Sequence, residues 1–262
     1  MTIFEKADYL IKIIENAGYE AYLVGGCVRD FFMNKSCNDI DITTSAKPIE
    51  LEKILTENKI KYIETGLKHG TVTALIESDS FEITTYRTDG EYSDNRHPEN
   101  VKFVSNIDDD LSRRDFTVNA IAFNPNKNEI VDLFGGKKDI ENKVIKAVGN
   151  ADVRFNEDAL RIMRAVRFSS TLNIEEKTKA AIFKNKDLLK NVSKERLFSE
   201  LSKLLMGDNV FSVLTEYKEV LAVIIPELIP TFTCKQNTVW HIYDVYTHTA
   251  KTVEQSPKKL SL

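Results

Sequence analysis

Cysteine is scarce in this chain: Cys27, Cys37 and Cys234 are the only three in 262 residues. An odd, scattered set excludes a disulfide framework and a zinc ribbon, and it suits a reducing compartment such as the cytoplasm. Long apolar runs are missing too. No stretch approaches the roughly 20 consecutive apolar residues that a membrane-spanning helix requires, so no membrane partner is expected. The opening Met1-Thr2-Ile3-Phe4-Glu5-Lys6-Ala7-Asp8 lacks the order of charge and apolar core that marks a signal peptide. A basic excess is likewise absent. Lys and Arg total 36 against 40 Asp and Glu, a formal net charge of −4. Any nucleic-acid contact must therefore rest on local patches rather than on a global field. There is no internal repeat and no low-complexity tract. What remains, 42% hydrophobic and 29% charged residues, is the composition of a globular protein long enough for one large or two ordinary domains.

Periodicity divides the chain into two halves of different character. Apolar residues at Phe4, Ala7, Leu10, Ile11, Ile14 and Ala17 have helical spacing. Tyr22–Val24 reads as a strand, the Gly25-Gly26 pair as a tight turn, and Cys27–Met33 as a helix. Asp39–Thr43 is the next strand and Pro48 opens a helix over 49–56. Strands follow at 61–65, 71–77 and 81–86. The polar stretch 87–100 reads as a mobile loop, 101–104 as extended, 107–123 as mostly helical and 129–132 as a short strand. A boundary falls near Gly149. Beyond it the pattern is helical throughout, over 158–172, 175–189, 194–206, 210–223 and from Trp240 to Thr252.

Asp39 and Asp41 are the most informative residues. In a strand, residues two apart point to one face, so the two carboxylates stand side by side and Ile40 and Ile42 face the core. Adjacent carboxylates repel unless a cation lies between them. Mg²⁺ with a polyphosphate is the natural occupant, since it takes one or two carboxylates and completes its shell with phosphate oxygens. Upstream, a strand running through Gly25 and Gly26 into a helix lets backbone N–H groups approach a phosphate, and Arg29 adds a planar donor fork. Glu82 is a candidate third carboxylate if its strand adjoins the aspartate pair. In Arg113-Arg114-Asp115-Phe116-Thr117-Val118-Asn119, a helix would place Asp115 and Asn119 on one face. There they can hold a ribose 2′-hydroxyl, with Arg114 within reach of the triphosphate or the ribose. As a lone pattern, the helix-cap reading of Asp115, serving the following amides, wins.

Asp158 and Arg161 open a helix on which Arg164 and Arg167 recur every third residue. An aspartate only accepts hydrogen bonds and an arginine only donates them. Together they match the pairing edges of cytosine and adenine, an exocyclic amine beside a ring nitrogen. Uracil and guanine present the reverse pattern. The competing reading is an acidic helix start with an arginine ladder of surface ion pairs. His241, Asp244 and His248 have metal-like spacing, but the set is incomplete and a packed helix is the better reading.

In this order, LVGGCVRD, DIDITT, HGTVTA, FEITTYRTDGEYSDNRHP, LSRRDFTVNAIAFN, VDLFGGKKDI, AVGNADVRFNEDALRIMRAVRF and SKERLFSEL closely resemble the bacterial tRNA nucleotidyltransferase/poly(A) polymerase family, its CCA-adding members in particular. The resemblance implies an α/β (α+β) palm-like head with a small mixed sheet over residues 1–149. An all-α neck that reads the base would follow at 150–206, and the start of a helical body at 207–262. It implies addition of C and A to the 3′ end of tRNA from CTP and ATP, without a template and with release of pyrophosphate. Asp39 and Asp41 would hold Mg²⁺. Gly26, Arg29 and Arg114 would bind the nucleotide, and Asp158, Arg161, Arg164 and Arg167 would line its base and phosphate side. The segment 87–100 matches a loop that helps the family switch from C to A. Poly(A) polymerase or an A-adding specialist is the close alternative, and an inactive nucleotide- or RNA-binding module the distant one. Asn34 stands where the family usually has glycine, and Lys146 where arginine is common. Family members continue well past Leu262, so the chain is expected to be a C-terminally truncated form.

Overall fold

The computed structural model describes residues 1–37, 39–66, 69–90, 101–236, 240 and 242–259. Its chain forms two compact units. Among the described residues, the first runs from Met1 to Gly149 apart from the short Lys143–Ile145 segment; the second takes that segment and the chain from Asn150 onward.

In the first unit, α1 (Ile3–Asn16) leads to β1 (Ala21–Val24), α2 (Gly26–Phe32), β2 (Asp41–Thr44), α3 (Pro48–Glu57), β3 (Lys61–Gly66), β4 (Thr71–Ile76) and β5 (Asp79–Thr85). A two-stranded arm follows, β6 (Arg87–Asp89) with β7 (Val101–Phe103), then α4 (Ile107–Ser112), β8 (Ala122–Asn124), β9 (Glu129–Val131) and α5 (Gly136–Glu141). Seven strands make one mixed sheet in the order β3-β4-β5-β2-β1-β8-β9. The pair β2–β5 is parallel and its neighbours are antiparallel. Thr2 closes a capping box on α1, taking the Glu5 N–H while Glu5 takes the Thr2 N–H. Alternation along the strands sends Tyr22 and Val24 to one face. There they form an apolar cluster with Tyr86, Ile107, Leu111 and Ala122. That cluster fixes α4 against the sheet.

Three expectations for this unit change. The strand expected at 39–43 begins at Asp41, so Asp39 lies in the lead-in to it, although Ile40 and Ile42 are buried as the alternation requires. The segment 87–100 is not loop from its start, because Arg87–Asp89 pairs with Val101–Phe103; residues 91–100 lie outside the described residues. The helix expected over 107–123 stops at Ser112 and gives way to a 3-10 turn at Thr117–Asn119 and a strand. Helical spacing in that segment was coincidental: Phe116, Val118 and Ile121 are each fully buried through a turn rather than along one helix face. Asn34, in place of glycine, sits at φ 54° just past α2. Asparagine enters this left-handed region more readily than other residues with a Cβ.

In the second unit, β10 (Val144–Ile145) pairs in parallel with β11 (Asn173–Ile174). Between them lie α6 (Ala151–Glu157) and α7 (Leu160–Phe168); after them come α8 (Glu176–Asn185), α9 (Lys194–Leu205), α10 (Val210–Glu216), α11 (Lys218–Ile224) and α12 (Val245–Gln255). The helix expected over 158–172 is shorter, because Asp158 adopts an extended backbone between α6 and α7. The helix expected over 210–223 breaks at Tyr217, and that expected from Trp240 starts at Val245. Asp244 caps α12, accepting from the Thr247 N–H at 2.8 Å and its hydroxyl at 2.7 Å. Its carboxylate is thus committed to the cap, which agrees with the packed-helix reading; His241 is outside the described residues. Among the described residues no helix is long and apolar enough to cross a membrane.

Candidate active site

The end of β1 and the beginning of β2, two central strands, meet at one end of the sheet, where Val24 is in register with Asp41. On the other side of β2, the parallel strand β5 places Glu82 in register with Asp41. In-register residues on neighbouring strands share a face, so Glu82 does adjoin the aspartate as expected. Asp39, exposed, stands close enough to act on Asp41 through its charge. The Asp41 carboxyl is pushed up to about 6, chiefly by burial, with the negative charges of Asp39 and Glu82 adding to the rise and Arg114 opposing it. A carboxylate so disfavoured as an anion is a place where a cation gains.

The turn after β1 explains how the strand end and the arginine come together. Gly25 has φ 75° and ψ −138°, a region closed to side chains. A Cβ there would lie 3.3 Å from Asp41 Oδ2 and 3.5 Å from Arg114 Nη1. Gly25 therefore marks the point where the carboxylate and the guanidinium converge on the backbone, and Gly26 opens α2 beside the Arg29 guanidinium. Gly25→Ala is expected to cost about 1–3 kcal/mol and to force Asp41 and Arg114 apart. Denaturant unfolding checks this, and an unchanged midpoint would mean the turn relaxes freely.

Arg29 is held, not loose. Its Nη2 is 2.8 Å from Asp30 Oδ1, and Nη1 donates to Asn119 Oδ1 at 2.9 Å. Asn119 in turn donates to Asp115 Oδ1 at 3.1 Å. Asp115 and Asn119 thus touch as the sequence suggested, but across a turn rather than on a helix. Asn119 is buried and spends both ends of its amide on this chain of contacts. Asp115 Oδ1 also takes the Phe116 N–H at 2.8 Å, the amide-serving role that competed with the ribose reading.

The residues fit a hard divalent cation in a particular way. Among the described residues, no three His, Cys, Asp or Glu side chains converge into a site that would hold a metal by protein alone. Two acidic groups with the remaining ligands left to phosphate and water are what Mg²⁺ takes in nucleotide sites. The burial and neighbouring negative charge that raise the Asp41 pKa favour a cation there.

The second unit positions the other candidates. Asp158 Oδ1 accepts from the Leu160 N–H at 3.0 Å, and Oδ2 is 3.2 Å from Arg196 Nη2. Arg161, largely buried, donates to Glu157 Oε2 at 2.8 Å. Asp158 thus precedes the helix rather than sharing its face with Arg161, and each has another charged partner. Arg164 and Arg167 both reach the buried Glu200 of α9, at 3.7 and 3.1 Å, and Arg167 lies 4.3 Å over the Phe168 ring. Sequence reasoning missed these partners. The signal for Arg196 and Glu200 was their spacing of four on an expected helix within SKERLFSEL, a motif to which no chemistry had been attached.

Comparison with known proteins follows the same division. The sequence profile of the Poly A polymerase head domain matches residues 21–146, and that of the probable RNA and SrmB-binding site of polymerase A matches 171–231. The CCA-adding enzyme of Lactobacillus helveticus is 50% identical over 207 residues, 78% of this chain and 51% of that protein. That of Lactobacillus delbrueckii subsp. bulgaricus is 46% identical over 93% of this chain and 60% of its own length. The chain therefore spans about half the length of the curated relatives it matches. Among solved structures, the Bacillus stearothermophilus CCA-adding enzyme in complex with CTP superposes with a TM-score of 0.75 at 40% identity, covering 84% of this chain and 52% of that one. The Thermotoga maritima CCA-adding enzyme complexed with tRNA gives 0.69 at 26% identity, covering 90% and 54%. With the head and the RNA-binding segment matched in order, and this identity sustained over most of its length, the chain belongs to the tRNA nucleotidyltransferase/poly(A) polymerase family.

Proposed function

We propose that the chain is a template-independent RNA nucleotidyltransferase that adds C and A to the 3′ end of tRNA from CTP and ATP. The observation that carries this reading is the convergence of Asp41, Arg114 and the Gly25 turn at the ends of two central strands, with Asp39 and Glu82 beside them. The relatives bear the name CCA-adding enzyme, and solved neighbours hold CTP or tRNA.

In the reaction the 3′-oxygen of the RNA attacks the α-phosphorus, the bond to the β-phosphate bridging oxygen breaks, and pyrophosphate leaves. Asp39 and Asp41 are the residues that would hold Mg²⁺, which when bound acidifies the attacking hydroxyl and neutralises charge on the leaving group. Glu82 adds negative charge that strengthens the demand for a cation. The guanidinium of Arg114, against the Gly25 turn, and that of Arg29, fixed by Asp30 and Asn119, face the phosphate-binding turn with their positions already set. Such preorganised donors act on developing charge without reorganising. Asp115 takes the ribose hydroxyl. In the helical unit, Asp158 accepts from the exocyclic amine of C or A and Arg161 donates to the ring nitrogen, with Arg164 and Arg167 on the phosphate side.

The test is the mass of a tRNA lacking its 3′ end after incubation with the protein, Mg²⁺, CTP and ATP. Growth by two cytidylates and one adenylate is expected. A long A tail assigns poly(A) synthesis, a single A assigns an A-adding specialist, and no growth with retained RNA binding assigns an inactive module.

A further inference from the structure

One buried acid lies outside every role assigned so far. Asp110 is the last of three aspartates in a row, on α4, and its carboxylate is wholly shielded from solvent. Oδ1 takes Arg113 Nε at 3.1 Å and Nη2 at 2.8 Å, with the Arg87 N–H at 3.4 Å. Oδ2 takes Arg114 Nη2 at 3.1 Å and shares the Thr43 hydroxyl, at 3.4 Å, with the Thr84 carbonyl, at 3.2 Å. Donors from the β6 arm, from β2 and from both arginines thus meet on one group. Burial alone would raise its pKa; the two guanidinium groups outweigh that and hold it below the ordinary value. A buried carboxylate is stable only when paired and fully hydrogen-bonded, and this one is.

The geometry around Arg114 says what the pairing does. Of its donor nitrogens, Nη2 is fixed by Asp110, Nε is buried without a hydrogen-bond partner, and Nη1 points at the Gly25 turn. Thr43 lies two residues beyond Asp41 on the same face of β2, so Asp110 also ties that guanidinium to the strand that carries the aspartate. Resting on the nucleotide-transfer reading, we propose that Asp110 is a positioning residue that aims the Arg114 guanidinium at the triphosphate by holding its far side to β2. It touches no substrate and acts only through Arg114.

The test is a cycle of Asp110→Asn, Arg114→Ala and the double variant, with KM and kcat for CTP and ATP and calorimetric CTP binding on each. Asparagine keeps the volume but turns an amide donor toward the guanidinium groups. KM for both nucleotides is expected to rise roughly 10- to 100-fold, with kcat changing less than about fivefold. In the Arg114→Ala background the same change should move KM less than about twofold, because the group it aims is gone. An equal rise in both backgrounds, or an unchanged KM in folded Asp110→Asn protein, overturns the proposal. Should that variant fail to fold, Thr43→Val removes one donor from Oδ2 and is expected to raise KM about two- to fivefold only when Arg114 is present; no such rise also overturns it. Wild-type protein that binds no CTP overturns the nucleotide reading itself, and with it this role. Wild-type binding matched by Asp110→Asn overturns the role of Asp110 alone.

Discussion

Asp39→Ala and Asp41→Ala are each expected to cut nucleotide incorporation by roughly a thousandfold or more while leaving the fold intact. The magnitude follows from the ligand count. With no protein-only metal cluster among the described residues, each of the two carboxylates is half of the pair that would hold the cation, and Glu82, on the neighbouring strand, adds charge rather than taking the place of either. The intact fold follows from the electrostatics of Asp41. Its pKa of about 6 lies above the ordinary value of 3.8, so the native state binds this proton more tightly than the unfolded chain. That contribution to stability is fully present below about pH 4 and is lost as pH rises through 6. Asp41→Asn removes the titration. Without added metal it should be more stable than the wild type at pH 8, by on the order of 2 kcal/mol after discounting for partial solvent exposure. The gap should close as pH falls and vanish below about pH 4. Thermal melts between pH 4 and 8 measure it. A gap independent of pH would show that another group carries the strain, and retained turnover in the Asp39/Asp41 double variant would sink the assignment of the pair.

The head was legible from the sequence where local rules agree with tertiary ones. Strand alternation gave the right face for Ile40 and Ile42, and glycines flanked by an apolar strand and a helix gave the right turn. Glu82 could be placed only conditionally, since the parallel β2–β5 pairing that brings it beside Asp41 is set by the sheet and not by any local signal. The stretch after Ser112 was misread for the opposite reason. Its Asp115–Asn119 spacing satisfies a helix, but the apolar residues between them are swallowed by the core through a turn. The contact survived because Asn119 donates to Asp115 across that turn, so a correct pairing was reached through an incorrect element. Asp110 shows what local spacing offered and was passed over. It stands three and four residues before Arg113 and Arg114, the separation at which helical charges meet, yet nothing in the sequence reveals that it is buried.

The second large effect expected is on choice of nucleotide. The Asp158→Ala, Arg161→Ala double variant should accept UTP and GTP nearly as well as CTP and ATP, erasing a preference of roughly 10²- to 10⁴-fold. That range corresponds to two mismatched polar contacts at about 1–3 kcal/mol each. Asp158 lies at the break between α6 and α7, where the Leu160 N–H and Arg196 hold it on both oxygens. Arg161 is nearly buried and pinned by Glu157. On the proposed reading, side chains fixed this way would meet a base with a rigid pattern of one acceptor and one donor, and a rigid pattern cannot rearrange to suit the reversed edge of uracil or guanine. It follows that loosening the supports should blur selection without removing the reading groups. Arg196→Ala, which frees Asp158 Oδ2, should lower discrimination by about tenfold while Asp158 and Arg161 remain. Competition between CTP and UTP, and between ATP and GTP, in single-addition assays gives both numbers. An unchanged preference in the double variant would place base selection elsewhere and leave the arginine ladder of α7 as ion pairs with Glu200.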